Sequence, residues 1–254
     1  SSAAIGRDGT VYSGSMDEGL GLDTLLEGFW GCRHVIARRV IGTGWQSLPQ
    51  VMRAPSSMLL LVNKGLSEVM RAEVPGLQGH ATKYNLQCRL LDDVLSDAAG
   101  TKPSTQSVIK YLSQSAFPDD LVHFACHFMP NQSNVDNSRL EITVNSHKVR
   151  VQLADLQVYG LHLARRPLVF LNGCWSNARV LLQSKSFVEE FMRRGARGLV
   201  ATECTMPDVF AAAFASKFYE HFLAGVPVGE ALWMTRDHFL RQCHNLLGMA
   251  YALY

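Results

Sequence analysis

A histidine and a cysteine stand at the ends of two apolar runs of this sequence. His127 closes the run Leu121–His127 (LVHFACH), and Cys174 closes the run Pro167–Cys174 (PLVFLNGC). A histidine can take the proton of a cysteine thiol and return it later to a leaving amine, while the thiolate acts as the nucleophile. The two residue types could therefore support nucleophilic acyl transfer, provided that the fold brings them together.

The surrounding sequence predicts an α/β fold that can do this. From about Met58 the chain alternates short apolar runs with longer amphipathic stretches, which is typical of βαβ units and a mostly parallel sheet with helices on both faces. In open α/β sheets the ligand site lies just past the carboxyl ends of the strands. Strands that end in His127 and Cys174 are therefore expected to place both residues on one rim. Because side chains two apart share a strand face, His123 is expected on the face of His127.

Local signals predict the individual elements. The first buried strand is predicted at Met58–Val62, followed by a helical stretch to about Leu90 and a weaker strand signal at Leu91–Leu95. A helix capped by Ser104 or Thr105 is predicted next, followed by an exposed loop over Phe128–Ser146, a hairpin near Glu141–Val151 and a short helix at Leu153–Leu156. A capping box at Ser186 and Glu189 predicts the start of another helix, which Gly195 closes, and a strand is predicted at Gly198–Thr202. The last two predictions are a helix from Pro207 and a helix over Gly229–Arg241, the first with four phenylalanines toward the core, at 210, 214, 218 and 222.

The first part of the chain gives weaker signals. Residues 1–16 are small and polar, which favours a linker, and residues 17–57 are expected to form an extension that packs on the sheet of a main domain at 58–254. Within the extension, Leu22–Phe29 is a candidate helix and His34–Val40 a candidate strand.

Composition excludes several classes of function. The 254 residues are 47% hydrophobic and 18% charged, with a formal net charge of +2, so no strong field toward nucleic acid or membrane is expected. The apolar runs are far shorter than the roughly 20 residues that span a bilayer. Six cysteines without paired spacing and no secretory signal favour a reducing, cytoplasmic setting. Glycine-rich phosphate-binding signatures are missing.

The other cysteines have a simpler interpretation. Cys88, Cys126 and Cys204 are expected to be inert core residues. The dipeptides Cys126-His127 and Cys243-His244 could indicate a metal site, but adjacent strand residues point to opposite faces and no Cys-x-x-Cys pair exists. No structural zinc site is therefore predicted.

Several segments resemble one family in the same order. The run Leu121–His127 resembles the histidine segment "HFAGHG" of CHAT domains, and Leu168–Ser176 (LVFLNGCWS) resembles their cysteine segment "VVLSACES". The similarity continues through Arg194–Val200, Phe218–Gly225 and Gly229–Leu232, and it covers roughly residues 58 to 254. CHAT domains are grouped with caspases and separases.

This resemblance implies a caspase-like three-layer sandwich and a cysteine endopeptidase with a protein substrate and no metal or organic cofactor. His127 is implied as the general base and Cys174 as the nucleophile. The backbone N–H groups of Phe128 and Cys174 are implied to form the oxyanion hole, although the family has glycine where this chain has Phe128.

Three further residues are candidates for substrate binding. Separase-like relatives use an acidic residue to bind a basic side chain of the substrate, and Asp208 occupies the matching place, with Glu203 as a second candidate. Asn172, next to Gly173, is the third. Proteases of this clan often lie behind sensor or repeat segments, so a regulatory or repeat partner upstream and a role in defence or cell-death signalling are expected.

Two other functions are compatible with the same pattern. One is a catalytically silent caspase-like interaction module, and the other is a flavodoxin-like signalling domain. A flavodoxin-like domain explains neither His127 nor Cys174 at the strand ends. Labelling of Cys174 by a peptide-like electrophile distinguishes the protease from the interaction module.

Overall fold

The computed structural model describes residues 3–5, 11–13, 32, 34–38, 54–95, 102–131, 133–175, 183–204 and 206–254. Within these ranges the main feature is an eight-stranded β-sheet with helices on both faces. This architecture confirms the predicted fold class, an α/β caspase-like sandwich with a mostly parallel central sheet.

The strands are, in chain order, β1 Ala3–Ile5, β2 Val11–Ser13, β3 Ser57–Val62, β4 Gln87–Leu90, β5 Leu121–Met129, β6 Arg139–Val144, β7 His147–Gln152, β8 Leu168–Trp175, β9 Gly198–Thr202 and β10 Tyr251–Leu253. β1 and β2 pair with each other in a separate antiparallel sheet. The main sheet has the order β10-β9-β8-β5-β3-β4, and the β6–β7 hairpin pairs with the end of β5. The pairs β3–β4, β3–β5, β5–β8 and β8–β9 are parallel, whereas β10 and the hairpin run antiparallel to their neighbours.

The helices are α1 Val74–Lys83, α2 Leu91–Leu95, α3 Thr105–Leu112, α4 Leu153–Val158, α5 Gln183–Arg193, α6 Asp208–Leu223 and α7 Val228–Asp237. Wider π-helical turns at Val69–Glu73 and His238–Gln242 adjoin α1 and α7. Helices α2 to α5 pack on one face of the sheet, and α1, α6 and α7 pack on the other. We call these the α5 face and the α6 face.

The apolar strands explain why two helical layers are needed. Met58, Leu59, Leu60 and Leu61 of β3 are all 0% exposed, and alternate residues belong to the cores of the two faces. A strand that is apolar on both faces is stable only when both are covered, because each buried aliphatic side chain contributes about 1.5–3 kcal/mol.

Several predicted elements are confirmed. Strands lie at Ser57–Val62 and Gly198–Thr202, as the apolar runs predict. Ser104 caps α3, since its side chain accepts from the Ser107 N–H while the Ser107 hydroxyl accepts from the Ser104 N–H. The four phenylalanines predicted to face the core on α6 are all buried.

The region after α1 differs from the prediction. The helix ends at Lys83 instead of continuing to about Leu90, and Gln87–Leu90 is strand β4 in parallel register with Ser57–Leu60. The predicted strand at Leu91–Leu95 is wrong, because these residues form helix α2. Asp93 accepts a hydrogen bond from the Leu90 N–H, which favours a helix start at this point.

Two further boundaries are corrected. Phe128–Ser146 is not one exposed loop, because β5 continues to Met129 and β6 begins at Arg139, and the two strands pair with each other. Helix α5 begins at Gln183, so Ser186 lies inside its first turn and is not the N-cap.

The N-terminal predictions are tested only in part. Of the candidate strand His34–Val40, the described residues 34–38 form one parallel bridge, between Ala37 and Leu253. The candidate helix Leu22–Phe29 lies outside the described residues. The division into 1–16, 17–57 and 58–254 stays a prediction.

Candidate active site

His127 and Cys174 are register partners on the neighbouring parallel strands β5 and β8. Both strands reach the same edge of the sheet, and neighbouring strands lie about 4.8 Å apart. Strand alternation puts both positions on the α6 face, together with His123 and Asn172. For Cys174 the structure describes the backbone, and the position of the residue follows from the strand register.

On the side away from Cys174, His127 is opposite Glu141 of the antiparallel strand β6. Glu141 is 4% exposed. Its carboxylate contacts Lys148 Nζ at 3.2 Å and Arg150 Nε at 3.1 Å. Burial favours a higher pKa for this carboxyl, but the hydrogen bonds and charges of Arg150 and Lys148 outweigh burial and lower its pKa below the usual value. Glu141 is therefore ionised at neutral pH.

Sequence reasoning assigned no role to Glu141, although one signal was present. Its neighbours Leu140 and Ile142 are buried on the α5 face, so the alternation of β6 places residue 141 on the opposite face. The antiparallel register with His127 depends on tertiary pairing, and no local pattern encodes it.

A buried polar network lies beneath His127 and Cys174. Glu73, at the end of the π-helical turn, is 2% exposed. Its Oε1 accepts hydrogen bonds from His123 Nε2 at 2.8 Å and from Asn172 Nδ2 at 2.5 Å. Asn172 is two residues before Cys174, and His123 is four before His127, so the network supports both strands just below their ends.

Two tyrosines complete this network. Tyr251 of β10 donates its hydroxyl to Asn172 Oδ1 at 2.7 Å, and the Tyr219 hydroxyl of α6 lies 3.2 Å from His123 Nδ1. Burial, and then the charge of Glu73, raises the pKa of Tyr219 well above its usual value, so this hydroxyl keeps its proton. It can donate to Nδ1, and Nε2 then carries the ring proton that is donated to Glu73.

Most of the chain, including both candidate catalytic strands, is similar to one known family. A family model described as "CHAT domain" matches residues 48–247, which is most of the chain. The chain belongs to the CHAT family. This family is caspase-like, in agreement with the sheet described above.

A protein of Vitiosangium sp. (strain GDMCC 1.1324) named as a probable protease is 26% identical to this CHAT chain over 239 residues. The match covers 88% of this chain and 29% of the relative. The chain thus spans less than a third of the length of the curated relative that it matches.

The CHAT domain holds the predicted substrate-binding residues in different environments. Asn172 is 3% exposed, and both its N–H groups are engaged, by Glu73 and by the Ala211 carbonyl oxygen at 3.0 Å. Glu203 follows β9 and forms an ion pair with Arg38. Its Oε1 also accepts from the Tyr254 hydroxyl at 2.9 Å.

Asp208 and Phe128 lie at the ends of elements near the same edge. Asp208 is the first residue of α6 and is partly exposed. Phe128 is the register partner of Trp175 on one side and of Leu140 on the other, and its ring packs edge-on against Phe187 on the α5 face at 5.4 Å between ring centroids. The roles of these two residues stay predictions.

Three other cysteines lie in environments unlike the strand end that carries Cys174. Cys126 is 1% exposed on the α5 face, and burial raises the pKa of its thiol well above the usual value, with the charges of Glu73 and Glu141 adding to the effect. Burial also raises the pKa of Cys88, to about 11. The expectation that Cys204 belongs to the core is wrong, because this residue is exposed in the turn after β9.

An apolar pocket lies next to β5 and β8 on the α5 face of the sheet. Its lining includes Cys126, Phe128, Leu140, Gly173 and Phe187. A Cβ atom at Gly173 would lie 3.4 Å from the Phe128 Cβ, which is an ordinary van der Waals contact at the edge of the pocket.

Metal clusters and membrane-spanning helices are both missing from the described parts of the chain. Among these residues, no group of three or more His, Cys, Asp and Glu side chains is close enough to hold a metal ion. None of the helices described above has the length and apolar character needed to cross a lipid bilayer.

Proposed function

We propose that this CHAT domain is a cysteine endopeptidase in which Cys174 is the nucleophile and His127 the general base. The observation that supports this most directly is the register of β5 and β8, which makes the two residues neighbours at the carboxyl ends of parallel strands. Side chains on opposite positions of one face are about 5 Å apart at Cβ, within reach of a thiol–imidazole hydrogen bond.

The reaction follows from the two roles. His127 takes the thiol proton of Cys174, and the thiolate attacks the scissile carbonyl carbon to give a tetrahedral oxyanion. Backbone N–H groups of Phe128 and Cys174 stabilise this oxyanion, a contribution of about 3–4 kcal/mol per donor. Collapse breaks the C–N bond, His127 protonates the leaving amine, and a thioester remains. Water, deprotonated by His127, then releases the acid and restores the thiol.

The acidic residues near this edge suggest the substrate class. We propose that Asp208 binds a basic side chain on the acyl side of the scissile bond. Glu203 is the second candidate, and its carboxylate bonds to Arg38 and Tyr254. Asn172 is bound inside the protein and acts by holding the end of β8.

The regulatory setting is part of the same proposal. A sensor or repeat segment joined to the domain would control cleavage in cytoplasmic defence or cell-death signalling. The relative named as a probable protease, of which this chain spans 29%, is long enough to carry such a segment.

The first test is covalent labelling of Cys174 with a peptidyl electrophile that carries lysine or arginine at its reactive end. Mass spectrometry should find the adduct on Cys174, and His127→Ala should slow labelling by about 10²-fold or more. Cys204→Ala is the matched control, since it removes an exposed thiol and should label at the wild-type rate.

Cleavage of protein substrates is the second test. New termini that appear with the wild type and disappear with Cys174→Ala identify the bonds cut, and cleavage after lysine or arginine supports Asp208. Two outcomes contradict the protease and favour a silent interaction module. One is labelling of Cys174 that does not depend on His127, and the other is no labelling of Cys174 when the native activator is present.

A further inference from the structure

Four polar positions form one row across four neighbouring strands. Cys174 of β8 is opposite His127 of β5, His127 is opposite Glu141 of β6, and Glu141 is opposite Arg150 of β7. Residues directly opposite each other share a face, so the row runs along the α6 face at the level of the candidate active site. The histidine thus lies between a cysteine and a carboxylate.

Glu141 is one strand away from His127, on the same face of the sheet. Opposite residues of an antiparallel pair have Cβ atoms about 4.5–5.5 Å apart, and a glutamate side chain spans that gap. The Glu141 side chain is 6% exposed, and its present partners Lys148 and Arg150 are 65% and 56% exposed. A contact with the ring therefore requires the Glu141 side chain to turn from these exposed basic partners toward His127.

Other charged groups around His127 are more distant from it in strand register. The strands beside His127 carry Cys174 on β8, Arg139 and Glu141 on β6, and Lys148 and Arg150 on β7. The α6 face carries Glu73, His123 and Tyr219, with Asp208 at the start of α6. Strand β3 contributes none and is followed by Lys64, which pairs with Asp92. Glu73 accepts from His123 and Asn172, one layer below. Glu141 is therefore the carboxylate directly opposite His127 in strand register.

We propose that Glu141 is a positioning residue for His127, orienting its imidazole toward Cys174 and stabilising the imidazolium that forms when the thiol proton is transferred. This inference rests on the proposed function of His127 and Cys174. Bond making and breaking stay with those two residues, and Glu141 acts through the imidazole alone.

The experiment is the pH dependence of Cys174 labelling by the peptidyl electrophile, measured with the full chain. In Glu141→Gln the limb of the profile that reports the imidazole should move to lower pH, and the maximal rate should fall about tenfold. In Arg150→Gln the freed carboxylate acts more strongly on the ring, so the same limb should move to higher pH.

Glu190→Gln is the matched control. Glu190 is also a buried carboxylate, with a 2% exposed side chain and two basic partners, Arg193 and Arg194, but it lies on α5 at the opposite face. Its removal should leave the pH profile unchanged. Profiles of Glu141→Gln and Glu190→Gln that coincide with the wild type overturn the inference, even if both variants melt at lower temperature.

A second readout separates this inference from the proposed function. NMR titration of the His127 ring needs no catalysis, and Glu141→Gln should shift its titration to lower pH. Wild-type protein that fails to label with the native activator present contradicts the protease, whereas a His127 titration identical in wild type and Glu141→Gln contradicts the role of Glu141.

Discussion

At the level of single residues, Glu73 combines near-complete burial with two hydrogen-bond donors from different strands. His123 and Asn172 both donate to its Oε1, and both are themselves buried. The three residues connect the π-helical turn to β5 and β8, and Asn172 also reaches Ala211 on α6. The strand end that carries Cys174 is therefore held by side chains from several elements.

Glu73→Ala should lower the free energy of unfolding by about 3–5 kcal/mol, because it leaves two buried donors without an acceptor. Urea denaturation measures this. Glu68→Ala is the control in the same region, since the Glu68–Arg71 pair has a 73% exposed arginine and should cost less than about 1 kcal/mol. Equal losses in the two variants would contradict the network's role.

Glu141 should also make stability depend on pH. Its pKa is lower in the folded protein than the usual 4.5, so its ionised form contributes stability above that value, and the contribution is lost as the pH falls through the folded-state pKa. Glu141→Gln should therefore destabilise the protein at pH 7 and have a smaller effect at pH 3. Chemical denaturation at pH 7 and pH 3 measures the loss of unfolding free energy in the variant. Equal losses at the two pH values would contradict a stabilising role of the ionised carboxylate.

The sequence reveals only part of this site. His127 and Cys174 stand out because a polar, reactive residue closes an apolar run. Glu73 does not, since its partners His123 and Asn172 are 50 and 99 residues away along the chain. Pairings at such separations are set by the assembled sheet.

At the level of elements, short-range signals predict structure well where one signal is unambiguous. The glycine at the end of α5 is an example, and the cap of α3, predicted as Ser104 or Thr105, is Ser104. They fail where neighbouring elements adjoin without a break, as at β4 and α2, where Leu90 ends a strand and Leu91 begins a helix. Both segments mix apolar and polar residues without a clear period, and only the pairing of β4 with β3 distinguishes the strand from the helix.

Gly195 and Gly79 should respond in opposite ways to alanine. Gly195 has φ of +108°, and a Cβ there would lie 3.0 Å from the Leu163 carbonyl oxygen, so Gly195→Ala should destabilise by about 1–3 kcal/mol. Gly79 is inside α1, and a Cβ added there would meet nothing within 4 Å, so Gly79→Ala should stabilise by about 0.5–1 kcal/mol. Thermal unfolding of both variants checks the signs.

At the level of the whole molecule, residues 34–38 lie along the edge of the sheet. Ala37 bridges to Leu253, the Arg38 N–H donates to the Leu253 carbonyl oxygen at 2.7 Å, and the Arg38 guanidinium pairs with Glu203. Val35 packs close to Gly229, where a Cβ would lie 2.6 Å from Val35 Cγ1. This contact connects the N-terminal part of the chain to the edge strand β10 and to α7.

Gly229→Ala should displace residues 34–38 from the edge, because the added methyl group and Val35 cannot occupy the same space. Limited digestion with trypsin should then cut after Arg38 several-fold faster than in the wild type. Gly79→Ala, which meets no neighbour, should leave the cleavage rate unchanged. Equal rates in all three proteins would show that the contact does not protect this segment.

The hydrogen bond from Tyr251 to Asn172 has a consequence for how the domain is made. The two residues are 79 positions apart, and at a synthesis rate of about 5–20 residues per second the tyrosine follows the asparagine by about 4–16 s. During that delay the end of β8 that carries Cys174 lacks the brace that β10 supplies. Under the proposed function, peptide hydrolysis would be withheld on the ribosome until translation has passed β10.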